Sequence, residues 1–236
     1  MEAIILAGGL GTRLSKAVPN LPKVMAPING IPFLQIILDY LFLHKVSHIV
    51  LAIGYKGSFI QECFLDSYKG MRIAYSVEDM PLGTGGAIKK AFKACKENDF
   101  FVLNGDTYFD VDLGKMMDFH KTQKSALTIA VKPMIDFERY GKVVIKDEKV
   151  VRFEEKKKCS KGNINGGVYL LNRCVFEDTT EECFSFEKNI LENSKTAIFA
   201  FVSEGFFIDI GIPEDYEKAK TVFSKGYINE QGSLLR

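Results

Sequence analysis

Strand-length apolar runs alternate with helix-length amphipathic runs through the first 133 of the 236 residues. EAIILA, SHIVLAIG, MRIAYSV, DFFVLNGD and SALTIAVKP have the apolar, β-branched character of strands. PFLQIILDYLFLHK, SFIQECFLDSY, GGAIKKAFKACKE and LGKMMDFHKTQ fall between them with helical spacing. Strands joined through helices pair in parallel, because the crossover must be long enough to return to the same edge. The predicted fold class is therefore α/β, Rossmann-like, with a mixed, mostly parallel central sheet flanked by helices.

The rhythm changes after residue 133. GKVVIKD and KVVRFEEK read as two strands turning at Asp147-Glu148, and NINGGVYLLN as another. SFEKNILEN is predicted helical, AIFAFVS and GFFIDIG extended, and PEDYEKAKTVFSK a last helix begun by Pro213. These are expected to be antiparallel additions that complete the sheet and wall a pocket. One domain over residues 1–225 is expected, with halves 1–133 and 134–225, and a tail at 226–236.

On such sheets ligands gather at the carboxyl ends of the strands. LAGGLGTRL, residues 6–14, lies at one such end. Gly8, Gly9 and Gly11 let the backbone approach a ligand, and their N–H groups suit an anion. The spelling excludes two familiar phosphate loops. Gly11 is followed by Thr12-Arg13 instead of Lys-Ser/Thr, and Leu14 stands where a dinucleotide loop has its third glycine. By its glycines alone the stretch is equally an ordinary strand-to-helix turn. LGTGGAI, residues 82–88, is a second glycine-rich helix entry, either a polar-ligand site or a simple cap by Thr84.

Two strand ends carry carboxylates, Asp106 after FFVLNG and Asp209 in GFFIDIG. Carboxylates from separate strands can hold Mg²⁺ together with phosphate oxygens, or can each cap a turn. Prolines 19, 22 and 27 stiffen the segment around Lys23, and the following VMAPI is strand-like. Lys156 lies in the charged run RFEEKKKCSK. A net charge of +1 offers no field for nucleic acid or membrane. No run is long enough to span a bilayer, and the short N-terminal apolar run lacks a basic leader, so no signal peptide is expected. Five cysteines without Cys-x-x-Cys suit reduced thiols in a cytoplasm. His44 and His48 have metal-pair spacing, but they straddle a helix–strand junction and lack a neighbouring glutamate, so no metal role is expected.

LAGGLGTRL with PKVMAP resembles the signature of the sugar-1-phosphate nucleotidyltransferases, whose lysine follows the loop arginine by ten residues. LGTGGAI, LNGD, YGKVV, VVRFEEK, NINGGVYLL and FIDIGIPEDY match further blocks in the family's order, covering the chain to about residue 220. Within the family, PLGTGGAI, FSFEKNIL and the short chain look most like the heptose 1-phosphate guanylyltransferases. The resemblance implies the nucleotide-diphospho-sugar transferase fold. It implies transfer of a nucleotidyl group from GTP to D-glycero-α-D-manno-heptose 1-phosphate, giving GDP-heptose for surface polysaccharide and pyrophosphate. Other sugar phosphates (mannose, glucose, N-acetylmuramate), uridylyl transfer, and a silent nucleotide-sugar-binding subunit are the alternatives.

The same resemblance assigns roles. Leu6, Ala7, Gly8 and Gly9 line the base, and Gly11, Thr12 and Arg13 hold the triphosphate. Lys23 bridges the reacting phosphates, with Arg13 and Lys23 as the catalytic residues. Gly83 and Thr84 approach base and ribose. Asp106 and Asp209 bind the cofactor Mg²⁺. Asn104, Gly141, Glu155 and Asn165 meet the sugar, and Lys156 its phosphate. The family's proline after that lysine is Lys157 here, which leaves the turn less rigid. The implied partners are a nucleoside triphosphate and a sugar 1-phosphate, with no nucleic acid or membrane; a homo-oligomer is compatible with this. The implied location is cytoplasmic.

Overall fold

A computed structural model describes residues 1–9, 11, 14 and 18–225. Four strands form the parallel heart of a ten-stranded sheet: β1 (Glu2–Leu6), β4 (His48–Ile53), β6 (Met71–Val77) and β7 (Asp99–Asn104). They lie in the order β7-β1-β4-β6, with Ile4 opposite both Val50 and Val102. Helices α1 (Phe33–Leu43), α2 (Gly57–Phe64) and α3 (Gly83–Ala91) follow β1, β4 and β6. β1, β4 and β7 are apolar on both sides because each side meets a core, whereas β6 turns Arg72, Ala74 and Ser76 to one face. Ile5, Leu51 and Leu103 face the layer holding α1 and α2, while Ile4, Val50 and Val102 face Ala87, Ile88 and Ala91 of α3.

The second half joins the same sheet in mixed sense. β12 (Cys159–Asn172) runs antiparallel to β7, and β9 (Leu127–Phe137) runs antiparallel to β12. β13 (Ile198–Val202) is parallel to β9, and β10 (Lys142–Lys146) with β11 (Lys149–Glu154) closes the far edge. As expected, β10 and β11 turn at Asp147-Glu148, both at positive φ, 50° and 61°. The ribbon of β8 (Thr107–Phe109) with β14 (Phe207–Asp209) stands apart from the sheet. Helices α4 (Leu113–Thr122) and α5 (Pro213–Val222) join the α1 layer, and α5 opens with the expected proline at its first turn.

Three local expectations are revised. VMAPI is not a strand: Lys23–Met25 form a 3₁₀ turn, and only β2 (Pro27–Ile28) is extended, pairing with β3 (Ile31–Pro32) across Asn29-Gly30. Val24, Met25 and Ala26 are buried as a strand's residues would be, but prolines at 22 and 27 leave room only for a turn. The second helix stops before LDSY, because Leu65 adopts φ 51° and Ser67–Tyr68 form a short strand, β5, on β6. SFEKNILEN forms a π-type turn over Phe186–Leu191, packed on the α3 side of the sheet. His44 and His48 occupy different elements. His48 pairs with Glu2 at 2.7 Å, and His44 packs on the Tyr40 ring.

Candidate active site

The carboxyl ends of β7, β1, β4 and β6 open into one cavity of about 670 Å³. Its wall is built from the residues that leave each strand: Gly8 and Gly9 after β1, Gly54 and Tyr55 after β4, Glu78 after β6, and Gly105 and Asp106 after β7. Gly105 can sit there because its backbone lies against β1: its N–H donates to Leu6 O at 3.0 Å, and a Cβ would lie 2.5 Å from that oxygen. The cavity is the strand-end crevice that a parallel sheet offers to ligands.

Three charged groups converge at one end. The Lys23 ammonium donates to Asp106 Oδ2 at 2.5 Å and lies 3.9 Å from Asp209 Oδ1. The two aspartates are 103 residues apart and meet because β14 pairs with β8, setting Asp209 opposite Thr107. Ile210 N–H also donates to Asp106 O, and Gly211 N–H to Asp209 Oδ1. The 3₁₀ turn that replaces the expected strand is what aims Lys23 inward. Gly11, at φ 59°, packs under it: a Cβ there would lie 2.8 Å from Lys23 Cβ. An ammonium held between two carboxylates marks a place where the fold stabilises positive charge. Two carboxylates with room for phosphate oxygens are a donor set that Mg²⁺ accepts.

Opposite this end, the start of α3 is clamped by a segment 100 residues away. Phe184 O accepts from Gly85 N at 2.9 Å and Gly86 N at 3.4 Å. Glu187 accepts from Thr84 Oγ1 at 2.6 Å and Ser185 Oγ at 3.0 Å, and Thr84 Oγ1 accepts from Phe186 N. The first-turn amides of α3 at Gly85 and Gly86 are therefore spent on protein. Gly83, at φ 70°, and Thr84 do line the cavity, as does Glu187.

Of the residues singled out in the sequence, Leu6, Gly8, Gly9, Lys23, Gly83, Thr84, Asn104 and Asp106 line this cavity. Ala7 is buried behind it, bonded to Ala52 O. Thr12 and Arg13 lie outside the described residues. Asp209 reaches Lys23 and also lines an adjoining cavity of about 340 Å³ that holds Arg139, Tyr140, Lys158 and Lys218. Burial and the Asp209 charge push the Tyr140 phenol up to about 12. Gly141 and Asn165 line neither cavity. Asn165 binds Tyr169 Oη and the Gly167 N–H, and Gly167 abuts Asn104. Glu155 and Lys156 are exposed and line neither cavity; Glu154 pairs with Arg152 and Lys157, and Lys158 is the lysine of that run facing a cavity. Sequence reasoning missed Tyr55, Glu78, Asp79 and Glu187. Glu78 was open to the strand-end rule, since it directly follows MRIAYSV. Glu187 carried no local signal, because only the clamp brings it to the cavity.

The profile of the nucleotidyl transferase family matches residues 2–225. The chain belongs to the nucleotidyl transferase family. Among its relatives in that family is a D-glycero-α-D-manno-heptose 1-phosphate guanylyltransferase of Aneurinibacillus thermoaerophilus, 50% identical over 93% of this chain and 97% of that protein. A protein of the same description from Campylobacter jejuni is 48% identical over 92% of this chain and 97% of its own length. The crystal structure of HddC from Yersinia pseudotuberculosis complexed with GMP-PN superposes with a TM-score of 0.86 at 40% identity, covering 94% of this chain and 99% of that one. Among the described residues no helix is long and apolar enough to cross a membrane.

Proposed function

We propose that this family member joins GTP to D-glycero-α-D-manno-heptose 1-phosphate, releasing pyrophosphate and forming a GDP-heptose for surface polysaccharide, in the cytoplasm. The observation that carries the reading is the convergence of Lys23, Asp106 and Asp209 at the strand-end cavity. The relatives described as heptose 1-phosphate guanylyltransferases support the choice of substrates. A sugar-phosphate oxygen attacks the α-phosphorus, and the bond to the pyrophosphate oxygen breaks. The nucleophile is already an anion at neutral pH, so no general base is required.

The difficulty is to bring two polyanions into line, and cations supply the remedy. On this reading Lys23 leaves its carboxylate partners for the phosphates, joined by Arg13 of the glycine loop. Asp106 and Asp209 would hold Mg²⁺, which when bound neutralises phosphate charge in the transition state. Gly8, Gly9 and Gly83 let the backbone approach base and ribose. The acceptor sugar lies toward Asn104 and Asp209, and on this reading Gly141, Glu155 and Asn165 meet the sugar and Lys156 its phosphate. Residues 1–225 act as one unit, because β12 and β9 of the second half pair into the sheet of the first. The test is kcat/KM from pyrophosphate release, with GTP, UTP, CTP and ATP each offered heptose 1-phosphate and mannose 1-phosphate. GTP with the heptose is expected to lead. A lead for UTP, or for mannose 1-phosphate, overturns the corresponding half of the reading.

A further inference from the structure

The adjoining cavity of about 340 Å³ differs in character from the strand-end one. The two meet at Asp209, which reaches Lys23 on one side and lines the smaller cavity on the other. Phe207 and Asp209 stand on the same face of β14, while Ile208 between them is buried. Tyr140 packs edge-on against Phe207, with ring centres 5.5 Å apart. Arg139 lies over the Tyr140 ring and pairs with Asp215 in the first turn of α5. Ring packing and the ion pair therefore fix this wall before any ligand arrives. Tyr140 Oη has no hydrogen-bond partner among the described residues. Burial and the neighbouring Asp209 keep that phenol protonated, so it can donate.

The charges of this cavity argue against an anion. Asp136, Glu138, Asp209 and Asp215 stand against Arg139, Lys158 and Lys218, so carboxylates outnumber cations. A phosphate would meet that excess as repulsion. An uncharged polyhydroxyl group fares better. Each hydroxyl both donates and accepts, so neighbouring hydroxyls can satisfy a carboxylate, a guanidinium and a phenol together. The C–H groups between them suit the rings of Tyr140 and Phe207. On the heptose reading the acceptor's phosphate lies with Lys23, and its far end leads past Asp209 toward this cavity. That end is where a heptose differs from mannose: both carry O6, and only the heptose carries a C7 hydroxymethyl group beside it. We propose that the Arg139–Asp215 pair and the Tyr140 hydroxyl bind the O6/O7 diol, so that this cavity selects a heptose over a hexose. The inference rests on the reading above and adds the groups that make the choice of sugar. Arg139 and Tyr140 donate to the diol oxygens, and Asp215 anchors the guanidinium at the cavity wall. A hexose leaves these groups to water and loses the contribution of O7.

The test is kcat/KM with GTP as donor and three acceptors: D-glycero-α-D-manno-heptose 1-phosphate, its 7-deoxy analogue and mannose 1-phosphate. The wild type is expected to favour the heptose over the other two by about tenfold or more, the worth of a hydrogen bond to a charged group. In Tyr140→Phe and in Arg139→Gln, kcat/KM for the heptose should fall about tenfold, mainly through KM. The value for mannose 1-phosphate should fall far less, so the preference shrinks toward one. A melting curve identifies the folded variants. Equal use of the heptose and its 7-deoxy analogue by the wild type overturns the assignment even if neither variant folds. An unchanged heptose-to-mannose ratio in a folded variant, or an equal loss on both sugars, also overturns it and leaves the heptose reading intact. A wild-type preference for mannose 1-phosphate instead removes the heptose reading, and this assignment with it.

Discussion

At the scale of single residues, Lys23 is the most constrained side chain of the site. Its stem packs against Gly11, its ammonium touches Asp106, and Gly211 closes on it from the far side: a Cβ on Gly211 would lie 3.0 Å from Lys23 Nζ. Lys23→Ala is expected to lower kcat by roughly 10²-fold or more, the usual loss when one donor to the transition state is removed. Steady-state kinetics beside a melting curve checks this; near-normal kcat would make the lysine structural. Asp106→Asn and Asp209→Asn are expected to remove Mg²⁺-dependent turnover, because a two-carboxylate site cannot spare either ligand. Their melting temperatures without ligand should stay close to wild type, since both carboxylates are about a third exposed. Full turnover at ordinary Mg²⁺ in either variant, or EDTA-resistant turnover in the wild type, would contradict the metal role. Lys23, Asp106 and Asp209 were legible as candidates because each stands at a strand end or in a proline-stiffened turn. Their mutual contact was not legible, because it depends on the long-range β8/β14 pairing that sets Asp209 opposite Thr107.

At the scale of elements, the clamp on α3 explains why a glycine-rich helix entry need not be an anion site. A Cβ on Gly83 would lie 2.5 Å from Phe184 O, and a Cβ on Gly86 would strike Glu182 O. These glycines admit the irregular segment around Glu182–Phe184 instead of a phosphate. The sequence showed the glycines and the SFEKNIL block, and only the tertiary structure shows that each exists for the other. Glu187→Ala should loosen Thr84 and with it the rim of the nucleotide cavity. The expected result is a KM for GTP raised about tenfold with kcat changed far less, the pattern of a lost binding contact. A matching fall in kcat with unchanged KM would place Glu187 in the chemical step. The expected helix at SFEKNILEN became a π-type turn, because Phe186 and Leu191 must reach the core while residues 184–187 hold α3. Periodicity alone does not distinguish that turn from a helix.

At the scale of the whole molecule, the sheet has two ends with different work. The carboxyl end carries the cavity, and the amino end carries a buried polar knot. Glu2 Oε2 accepts from Lys96 N and Glu97 N, and Oε1 meets His48. Burial pushes the Glu2 carboxyl up; the Glu97 amide, His48 and the Lys96 amide outweigh it and hold the group below its ordinary value of 4.5. A carboxylate depressed in the folded state stabilises fully above its unfolded value, and the contribution is lost as pH falls through the folded one. Glu2→Gln is therefore expected to lower the melting temperature at pH 7 by about 2–8 °C and to flatten its decline below about pH 4.5. Turnover of the folded variant should be unchanged, because the knot lies at the other end of the strands. The alternation of strands and helices made the parallel heart of the sheet readable from the start, since both faces of β1, β4 and β7 had to be apolar. The order β10-β11-β13-β9-β12-β7 was not readable, because antiparallel neighbours follow from long-range register that no local pattern records. On the proposed reading this cavity transfers a guanylyl group to a heptose phosphate. Phosphorus NMR of the protein with GTP, D-glycero-α-D-manno-heptose 1-phosphate and Mg²⁺ tests it most directly. GDP-heptose and pyrophosphate are expected to appear together in equal amounts and to vanish in Asp106→Asn. Inorganic phosphate in place of pyrophosphate, or no reaction with GTP under conditions where UTP reacts, would contradict it.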